Sequence, residues 1–302
     1  GFGAARLAGA AESLYVRESR HLRARCVLSA DDVFDNLVTA FDVAAGGYPM
    51  DAQSFTPHDS GFVYGVPDIY GGRLCMMVPE GGPAGMWVVG RSAGYDPVAF
   101  ASARVVPFGM AMAEAAGVAA AMAVTTGMLP QTAAVDPAVI AAVRERLAAR
   151  GAYLPGVAPR TAIGPTSAAH YDAFRVLVSR GLSVGGYDND PRLATDVSSL
   201  SFAYLLSNVA TRFHFRPEVG QDLVDTAVAA AGGDGSAPLT AEVATLTMYR
   251  AACLLGECPA SADWRGLSEA GLTWTATPPV LPLTRGQAYA LAAALADTAP
   301  AD

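Results

Sequence analysis

Charged residues are scarce in this sequence of 302 residues. They make up 16% of it, and acids outnumber bases, so the formal net charge is −8. Such a chain has no basic stripe with which to neutralise a phosphate backbone, which argues against nucleic acid as a partner. The one cationic cluster, residues 17–25, is short and contains Glu18. We interpret it as a solvated face or a group of structural ion pairs.

Cysteine and histidine are also rare, with four residues of each type. The cysteines show no CxxC spacing and no histidine companions, so a zinc site is not indicated. Cys253 and Cys258 are close enough in the sequence for a small disulfide loop, and two unrelated thiols are an equally good interpretation. His58, beside Asp59, is a candidate acid or base for a substrate, although a surface-loop histidine is the favoured interpretation.

No signal peptide is visible at the start, and residues 3–11 have the composition of a helix. We therefore expect the sequence to begin inside a longer protein. Residues 105–129 carry a single charge, Glu114, and would be long enough to cross a bilayer. They consist mainly of Ala, Gly, Met and Thr with few Leu or Ile. We interpret them as a buried helix of a soluble protein and expect no transmembrane helix.

The composition and length allow two modest domains, since 52% of the residues are hydrophobic. The Pro- and Gly-rich stretch 155–165 is the best boundary, so we predict one domain over residues 1–155 and a second over 156–302. Strand-like runs occur at residues 73–78 and 86–89, and the second is apolar enough for a central strand. The predicted fold is α/β followed by a mainly α-helical domain.

Capping residues and amphipathic patterning predict the helices. Ser29 is placed to cap a helix that begins at Asp31, and a long Ala-rich helix begins near Pro107. Gly151 is a natural C-cap for a helix over residues 137–150. Further helices are predicted over residues 169–180, 198–212, 221–231, 241–255 and 285–296.

Residues 86–112 have the pattern by which a backbone approaches a cofactor: a strand ending in glycine, a loop of small residues, and the start of a helix. Gly90 leaves room where a phosphate or ribityl chain would pass. The amides of Phe108, Gly109 and Met110 would point at an electron-rich group and favour negative charge there. Alone this pattern is weak, because any α/β crossover contains one.

Seven short strings make the pattern specific, because they resemble, in order, the motif set of a large family of FAD-dependent oxidoreductases. They lie at residues 15–20 (YVRESR), 28–33 (LSADDV), 47–51 (GYPMD), 64–67 (YGVP), 78–81 (VPEG), 88–92 (VVGRS) and 104–117 (RVVPFGMAMAEAAG). The helix at 139–154 and its tail resemble the usual end of that domain. The resemblance covers roughly the first half of the chain.

The resemblance implies FAD as the cofactor and hydride transfer between FAD and a small-molecule organic substrate. It implies eight cofactor-binding residues: Gly90, Arg91, Ser92, Arg104, Pro107, Phe108, Gly109 and Met110. The first two would line the ribityl-pyrophosphate side, and residues 107–110 would lie against the isoalloxazine. Arg104 is better suited to positioning its loop than to touching substrate. The Arg17, Glu18 and Arg20 group either lies near the cofactor or forms a structural ion-pair cluster.

The sequence departs from the family pattern in three places. The dinucleotide fingerprint GxGxxG is not present, so FAD binding requires an amino-terminal half, in the same protein or in a second chain. The loop after Gly90 has no histidine, and Asp68 interrupts the usual Pro-Tyr-Arg string. No base or substrate contact is therefore carried over, and the catalytic residues are unassigned. Tyr64 and Tyr95 are the polar aromatics we expect to face a flavin pocket.

The second half resembles S-layer homology modules, with a generic helical cap on the oxidoreductase as the alternative. Residues 171–212 have a helix, a Gly-Leu…Gly-Tyr-Asp turn and a return helix, and residues 263–297 repeat the plan. Leu283-Thr284-Arg285 resembles the binding tripeptide of the module, whereas the first copy has Val197-Ser198-Ser199. The resemblance implies an extracellular or periplasmic location at the bacterial cell envelope, with cell-wall polymer or envelope proteins as partners.

Three functions are consistent with these observations. The leading one is part of an envelope-associated FAD-dependent oxidoreductase. The second is a non-catalytic structural protein of a surface assembly that keeps a flavoprotein-like fold, which the missing fingerprint favours. The third is a cytoplasmic oxidoreductase with a helical appendage.

Overall fold

The computed structural model describes residues 16–52, 62–66, 68–156, 166–183 and 190–300, together with residues 9, 12 and 13. Several predicted features lie outside these residues. They are most of the helix at 3–11, the first residue of the 15–20 string, His58, Pro67, and residues 184–188 of the Gly-Tyr-Asp turn.

The first half is a mixed α and β structure. Its elements are α1 Ala30–Phe34, β1 Asp42–Gly46, β2 Met50–Ala52, β3 Phe62–Tyr64, β4 Tyr70–Arg73, α2 Pro97–Ala103, α3 Val106–Thr126, α4 Pro130–Ala133 and α5 Pro137–Ala149. Strand β1 pairs antiparallel with β4, and β2 pairs antiparallel with β3. The long helix α3 packs on β1 and on α5, so one face of it is buried.

The predictions of strands at residues 73–78 and 86–89 are wrong. Arg73 ends β4, and Leu74–Met77 form a 3₁₀ turn. Residues 86–89 are half-buried or exposed. A hydrogen bond of 2.7 Å from the Val88 amide to the Met77 carbonyl links them to that turn. Apolar composition alone therefore misled the prediction, because a strand also needs a partner that continues the ladder.

Most of the predicted helices are confirmed. Ser29 caps α1: its Oγ accepts from the Asp32 amide at 3.1 Å, and Asp32 accepts from the Ser29 amide at 3.2 Å. Helix α5 ends one residue before its predicted end, and Gly151 follows it with a φ of 85°. These features depend on local hydrogen bonds and backbone geometry, which neighbouring residues determine.

The described residues of the second half form six helices that follow one another along the chain as three consecutive pairs, which are α6 Tyr171–Val178 and α7 Ser199–Phe213, α8 Gly220–Ala230 and α9 Ala241–Leu255, and α10 Trp264–Glu269 and α11 Arg285–Ala296. A glycine with positive φ follows the first helix of each pair: Gly181, Gly232 and Gly271. A hydroxyl side chain caps the second helix of each pair: Ser198, Thr240 and Thr284. The chain therefore repeats one structural plan three times.

The three capped helix starts meet through backbone hydrogen bonds. The Leu239 amide donates to Val197 at 2.9 Å, the Leu283 amide to Leu239 at 2.7 Å, and the Arg285 amide to Thr195 at 2.7 Å. These bonds connect each unit to the other two. Sequence patterns predicted a helix, a turn and a second helix at the first and third units, and the resemblance to S-layer homology modules stays a prediction. They missed the middle unit, whose turn reads Gly-Gly-Asp at residues 232–234.

Helix α6 joins the helical half to the first half. The Arg175 Nη2 atom lies 2.8 Å from an Asp31 oxygen and 2.9 Å from an Asp35 oxygen. Its guanidinium also lies over the Phe34 ring, 5.1 Å from the centroid. The Phe174 ring stacks on Tyr64 with 6.1 Å between centroids. One hydrophobic core thus runs through both halves, and the boundary at residue 155 stays a prediction.

All four cysteines of the chain are in disulfides. The Cys253–Cys258 bond confirms one of the two interpretations of that pair. The Cys26–Cys75 bond joins residues 49 positions apart, with 5.3 Å between their Cα atoms. Backbone hydrogen bonds align the two segments, including one of 3.1 Å from the Arg25 amide to the Val78 carbonyl. No spacing pattern indicated this second bond, because folding alone brings the segments together.

Asp42 gives the first testable prediction. Its side chain is buried, and one of its oxygens accepts from the Thr39 amide at 2.5 Å. Burial raises the pKa of this carboxyl above its ordinary value of 3.8. The folded state therefore binds a proton more tightly than the unfolded state. We expect the free energy of unfolding to fall as the pH rises from 3.8 through the raised pKa of folded Asp42.

The Asp42→Asn variant tests this, because an amide oxygen can still accept from Thr39 but cannot titrate. Urea unfolding at a series of pH values should show a shallower decline for the variant than for the wild type. Part of the decline should remain, because burial also raises the pKa of Asp96. Identical pH dependence of the two proteins would contradict the prediction.

Candidate functional site

A 3₁₀ turn at Gly90–Ser92 lies against the start of helix α3. Gly90 has a φ of 68°, and a Cβ atom at this position would meet nothing within 4 Å. A Cβ on Gly109, in the first turn of α3, would lie 3.5 Å from the Gly90 Cα. Two glycines therefore let the turn and the helix approach closely while leaving an open, side-chain-free surface beside them.

The start of α3 carries backbone donors that the helix itself does not use. Its N-cap residue, Val105, makes no side-chain capping bond, and the ladder begins with the Gly109 amide donating to the Val105 carbonyl at 3.2 Å. By helix geometry the Val106 and Phe108 amides have no intrahelical acceptor. The prediction that the Gly109 amide points at the cofactor is wrong, because the helix itself uses that amide. The side chains of Val106 and Met110 are 71% and 66% exposed, so this helix start faces outward. It is suited to a negatively charged or electron-rich group.

The Phe108 side chain does not belong to this outward face. It is buried, and its ring lies edge to face with Tyr70 at 5.5 Å between centroids. It packs so closely on β4 that a Cβ on Gly72 would lie 2.9 Å from the Phe108 ring. Of the predicted cofactor-binding residues, Phe108 can therefore contribute its backbone amide only, whereas Pro107 and Met110 are exposed beside it.

Arg91 braces the wall of this site. Its Nη1 donates to the Val16 carbonyl at 2.8 Å and approaches the Arg17 carbonyl at 3.4 Å. The Leu22 amide donates to the Ser92 carbonyl at 2.8 Å. Residues 16–22 thus run alongside the Gly90–Ser92 turn. Both interpretations of the Arg17, Glu18 and Arg20 group, a place near the cofactor and a structural ion-pair cluster, stay predictions.

Arg104 is held elsewhere. Its Nη2 donates to the Asp51 carbonyl at 2.8 Å, at β2. The side chain therefore positions β2, and its hydrogen bond gives it no part in the surface beside Gly90. The structure brings together Gly90, Arg91, Ser92 and residues 107–110, while Arg104 sits just before α3 and points its guanidinium to the neighbouring strand.

Tyr64 and Tyr95 do not face an open pocket, contrary to expectation. Both are buried in the core. Tyr64 packs edge to face on Phe34, with 4.8 Å between centroids, and Tyr95 packs on Phe100 at 5.8 Å. Neither hydroxyl has a hydrogen-bond partner among the residues that the structure describes, and burial raises the pKa of both. At both positions the packing of the ring in the core outweighs the hydration of its hydroxyl. Residue type alone could not predict this burial.

The described histidines are engaged in packing and backbone contacts. His21 Nδ1 lies 3.0 Å from the Tyr95 carbonyl, and His214 Nε2 lies 3.0 Å from the Leu295 carbonyl. The His170 ring lies edge to face with Trp274 at 5.1 Å between centroids. Within the described ranges, no group of three His, Cys, Asp or Glu side chains is placed to hold a metal ion.

Helix α3 is long and apolar enough, by length and composition, to cross a membrane. A third of its most apolar window is buried inside the fold. Met112 and Ala115 lie on the buried face, whereas Val124 is 87% exposed. The expected buried helix is therefore buried on one side only. One such helix is weak evidence for a membrane span, because the core helix of a soluble protein passes the same test.

Comparison with protein families gives one match, to the first half of the chain. The sequence model of the FAD dependent oxidoreductase family matches residues 1–147, which is just under half of the chain and ends within α5. FAD is the cofactor that this family implies, and the match indicates an oxidation–reduction function for the first half. Neither the curated proteins nor the solved structures give a significant match to the chain.

The residues beside Gly90 fit one part of FAD. The side-chain-free turn would admit the ribityl chain, and the unused amides at the start of α3 suit the electron-rich end of the isoalloxazine. The described residues offer no counterpart of the glycine-rich dinucleotide loop, and the sequence contains no GxGxxG string. The residues beside Gly90 are thus suited to one side of a flavin, and the dinucleotide loop is not among the described residues.

Proposed function

We propose that this chain forms the carboxyl-terminal wall of an FAD-dependent oxidoreductase that transfers hydride between an organic small molecule and FAD. The observation that carries the proposal is the uncapped start of α3 beside the Gly90 turn, inside the segment that matches the family. FAD, when bound, supplies the hydride-accepting ring. The dinucleotide loop comes from an amino-terminal half, in the same protein or in a second chain.

The residues of this chain have three roles in that proposal. Gly90 and Gly109 let the backbone approach the cofactor without side chains between them. The Val106 and Phe108 amides would stabilise negative charge on the reduced ring by hydrogen bonding and by the helix dipole. Arg91 holds residues 16–17 in place as one edge of the site.

A location at the cell envelope is part of the proposal. Both disulfides support it, because disulfides persist in oxidising compartments and are rare in the cytosol. The helical half, with its resemblance to S-layer homology modules, is then the part that contacts cell-wall polymer or envelope proteins. Thr284 and Arg285, at the meeting point of the three helix starts, are its proposed contact residues.

A non-catalytic structural protein is the second candidate. The observation that favours it is the burial of Tyr95, which lies in the loop where the family commonly has a histidine. A buried, unpartnered hydroxyl cannot exchange protons with a substrate in an open site. In that case the first half keeps the flavoprotein-like fold as a structural support.

An absorbance spectrum of the purified native material, with the intact mass of every chain present, tests the proposal. We expect flavin bands and a polypeptide that carries the dinucleotide fingerprint. Absence of flavin, with the partner segment present and FAD added, would rule out the oxidoreductase and leave the structural protein.

The Gly90→Val variant tests the site itself. Valine at a φ of 68° is strained, and its side chain would occupy the open space beside the turn. We expect FAD affinity to fall by at least about tenfold. The matched control is Gly127→Val, because Gly127 has a φ of 69° and open space but lies at the other end of α3. Equal FAD affinity in the two variants would contradict the assigned site.

A further inference from the structure

A cleft of about 400 Å³ separates the first helix pair of the second half from the first half. The ends of α6 and α7 contribute Ser179, Arg180, Thr211, Arg212 and Phe215, and the starts of α1 and α2 form the opposite wall. The predicted flavin-binding residues do not line it. The cleft is therefore separate from the candidate flavin site.

Phe215 is the most unusual residue of this cleft. Its side chain is 72% exposed, and its φ of 55° is in the left-handed region. A bulky side chain adopts that conformation at a cost in free energy, and an exposed ring recovers little of the cost by burial. Strained residues of this kind are concentrated at ligand sites, where the strained backbone holds a side chain in place. The ring is thus positioned to pack against a ligand.

Arg180 supplies positive charge at the same place. Its guanidinium lies over the Phe213 ring, 5.2 Å from the centroid, and no carboxylate among the described residues forms an ion pair with it. The Arg212 side chain lines the cleft as well. The acids of the opposite wall are already engaged. Asp31 pairs with Arg175, and Asp96 accepts from the Ala30 amide at 2.5 Å and the Ala99 amide at 2.6 Å.

Two of the three hydroxyls that line the cleft, those of Ser179 and Thr211, are left as acceptors, whereas Ser29 already accepts from the Asp32 amide. Ser179 donates to the Val176 carbonyl at 2.9 Å, and Thr211 donates to the Ser207 carbonyl at 2.9 Å. Each oxygen keeps a lone pair for a donor on a ligand. The cleft thus combines a cation, hydroxyl acceptors and a flat apolar surface.

We propose that this cleft binds a small organic acid with a hydroxylated ring. Its carboxylate accepts from the Arg180 guanidinium, its ring lies against Phe215, and its hydroxyl donates to Ser179 or Thr211. This site is separate from the flavin wall, and the proposal does not depend on FAD.

Calorimetric titration of the 302-residue chain with 4-hydroxybenzoate tests it. We expect saturable binding, and at least about tenfold weaker binding of acetate, which lacks the ring, and of phenol, which lacks the carboxylate. Absence of binding, or equal affinity for acetate and 4-hydroxybenzoate, would overturn the proposal. The titration contains no flavin, so its failure leaves the oxidoreductase proposal untouched.

Two variants separate binding from structure. Arg180→Gln should weaken 4-hydroxybenzoate about tenfold, whereas the control Arg265→Gln, at an arginine outside the cleft, should leave affinity unchanged. Phe215→Gly should weaken binding about fivefold and at the same time raise the thermal midpoint, because glycine tolerates the left-handed backbone. Unchanged affinity in both Arg180→Gln and Phe215→Gly would show that the residues have structural roles only.

Discussion

Removal of the Cys26–Cys75 disulfide is expected to lower the free energy of unfolding by about 4 kcal/mol. The bond closes a loop between residues 49 positions apart, so it restricts the unfolded chain strongly. The Cys253–Cys258 bond spans only 5 positions and should contribute about 2 kcal/mol by the same argument. Loss of the Cys26–Cys75 bond should also weaken the candidate site, because Cys26 anchors the segment that includes residues 16–22 beside the Gly90 turn.

Urea unfolding of the Cys26→Ser/Cys75→Ser double variant measures this effect. The Cys253→Ser/Cys258→Ser double variant is the matched control, since it also replaces two paired cysteines. The first variant should lose about twice as much stability as the second. If the second variant were the less stable of the two, the loop-length argument would be wrong for this chain. FAD affinity should also fall in the first variant only.

Gly71→Ala is expected to destabilise the first half by more than about 3 kcal/mol. A Cβ at Gly71 would lie 1.9 Å from the Asp42 carboxyl carbon, across the β1–β4 pair. Asp42 is buried and hydrogen-bonded to the Thr39 amide, so moving its carboxyl away from the new Cβ would break that bond. If the carboxyl did not move, the two strands would have to separate, and α3 packs on β1.

The control for Gly71→Ala is Gly117→Ala. Gly117 is in the interior of α3, and a Cβ there would meet nothing within 4 Å. Alanine should stabilise the helix by about 0.5–1 kcal/mol, because it loses less backbone freedom on folding. The two alanine substitutions should therefore change the unfolding free energy in opposite directions. A stability gain in both would show that β1 and β4 do not pair as described.

Local signals predicted most of the helices, because the interactions that begin and end a helix lie within a few residues of each other. Ser29, Ser198 and Thr284 each accept from an amide three residues later, and these caps can be read from the sequence. Helices α9 and α11 were predicted with the bounds that the structure shows. The strands were predicted poorly, since a strand needs a partner from elsewhere in the chain.

In the candidate site, the backbone features were predicted from the sequence, and the roles of the side chains were not. The sequence predicted that Gly90 lies beside the start of α3, because a glycine turn and a helix start depend on the backbone, and the structure brings the two together. Side-chain roles required the fold. Phe108 and Tyr95 turned out to be buried, and Arg104 to hold β2. Which face of a segment is covered depends on distant residues, such as Tyr70 against Phe108.

The sequence by itself determined the order of the helices, the acidic character of the chain and its likeness to FAD-dependent oxidoreductases. These depend on residue type and on short-range spacing. Only the tertiary structure decided that Cys26 pairs with Cys75, that three helix pairs share one plan, and that Phe215 and Arg180 line one cleft. The physical reason is that each of these features joins residues far apart in the chain, and the packing of the core brings them together.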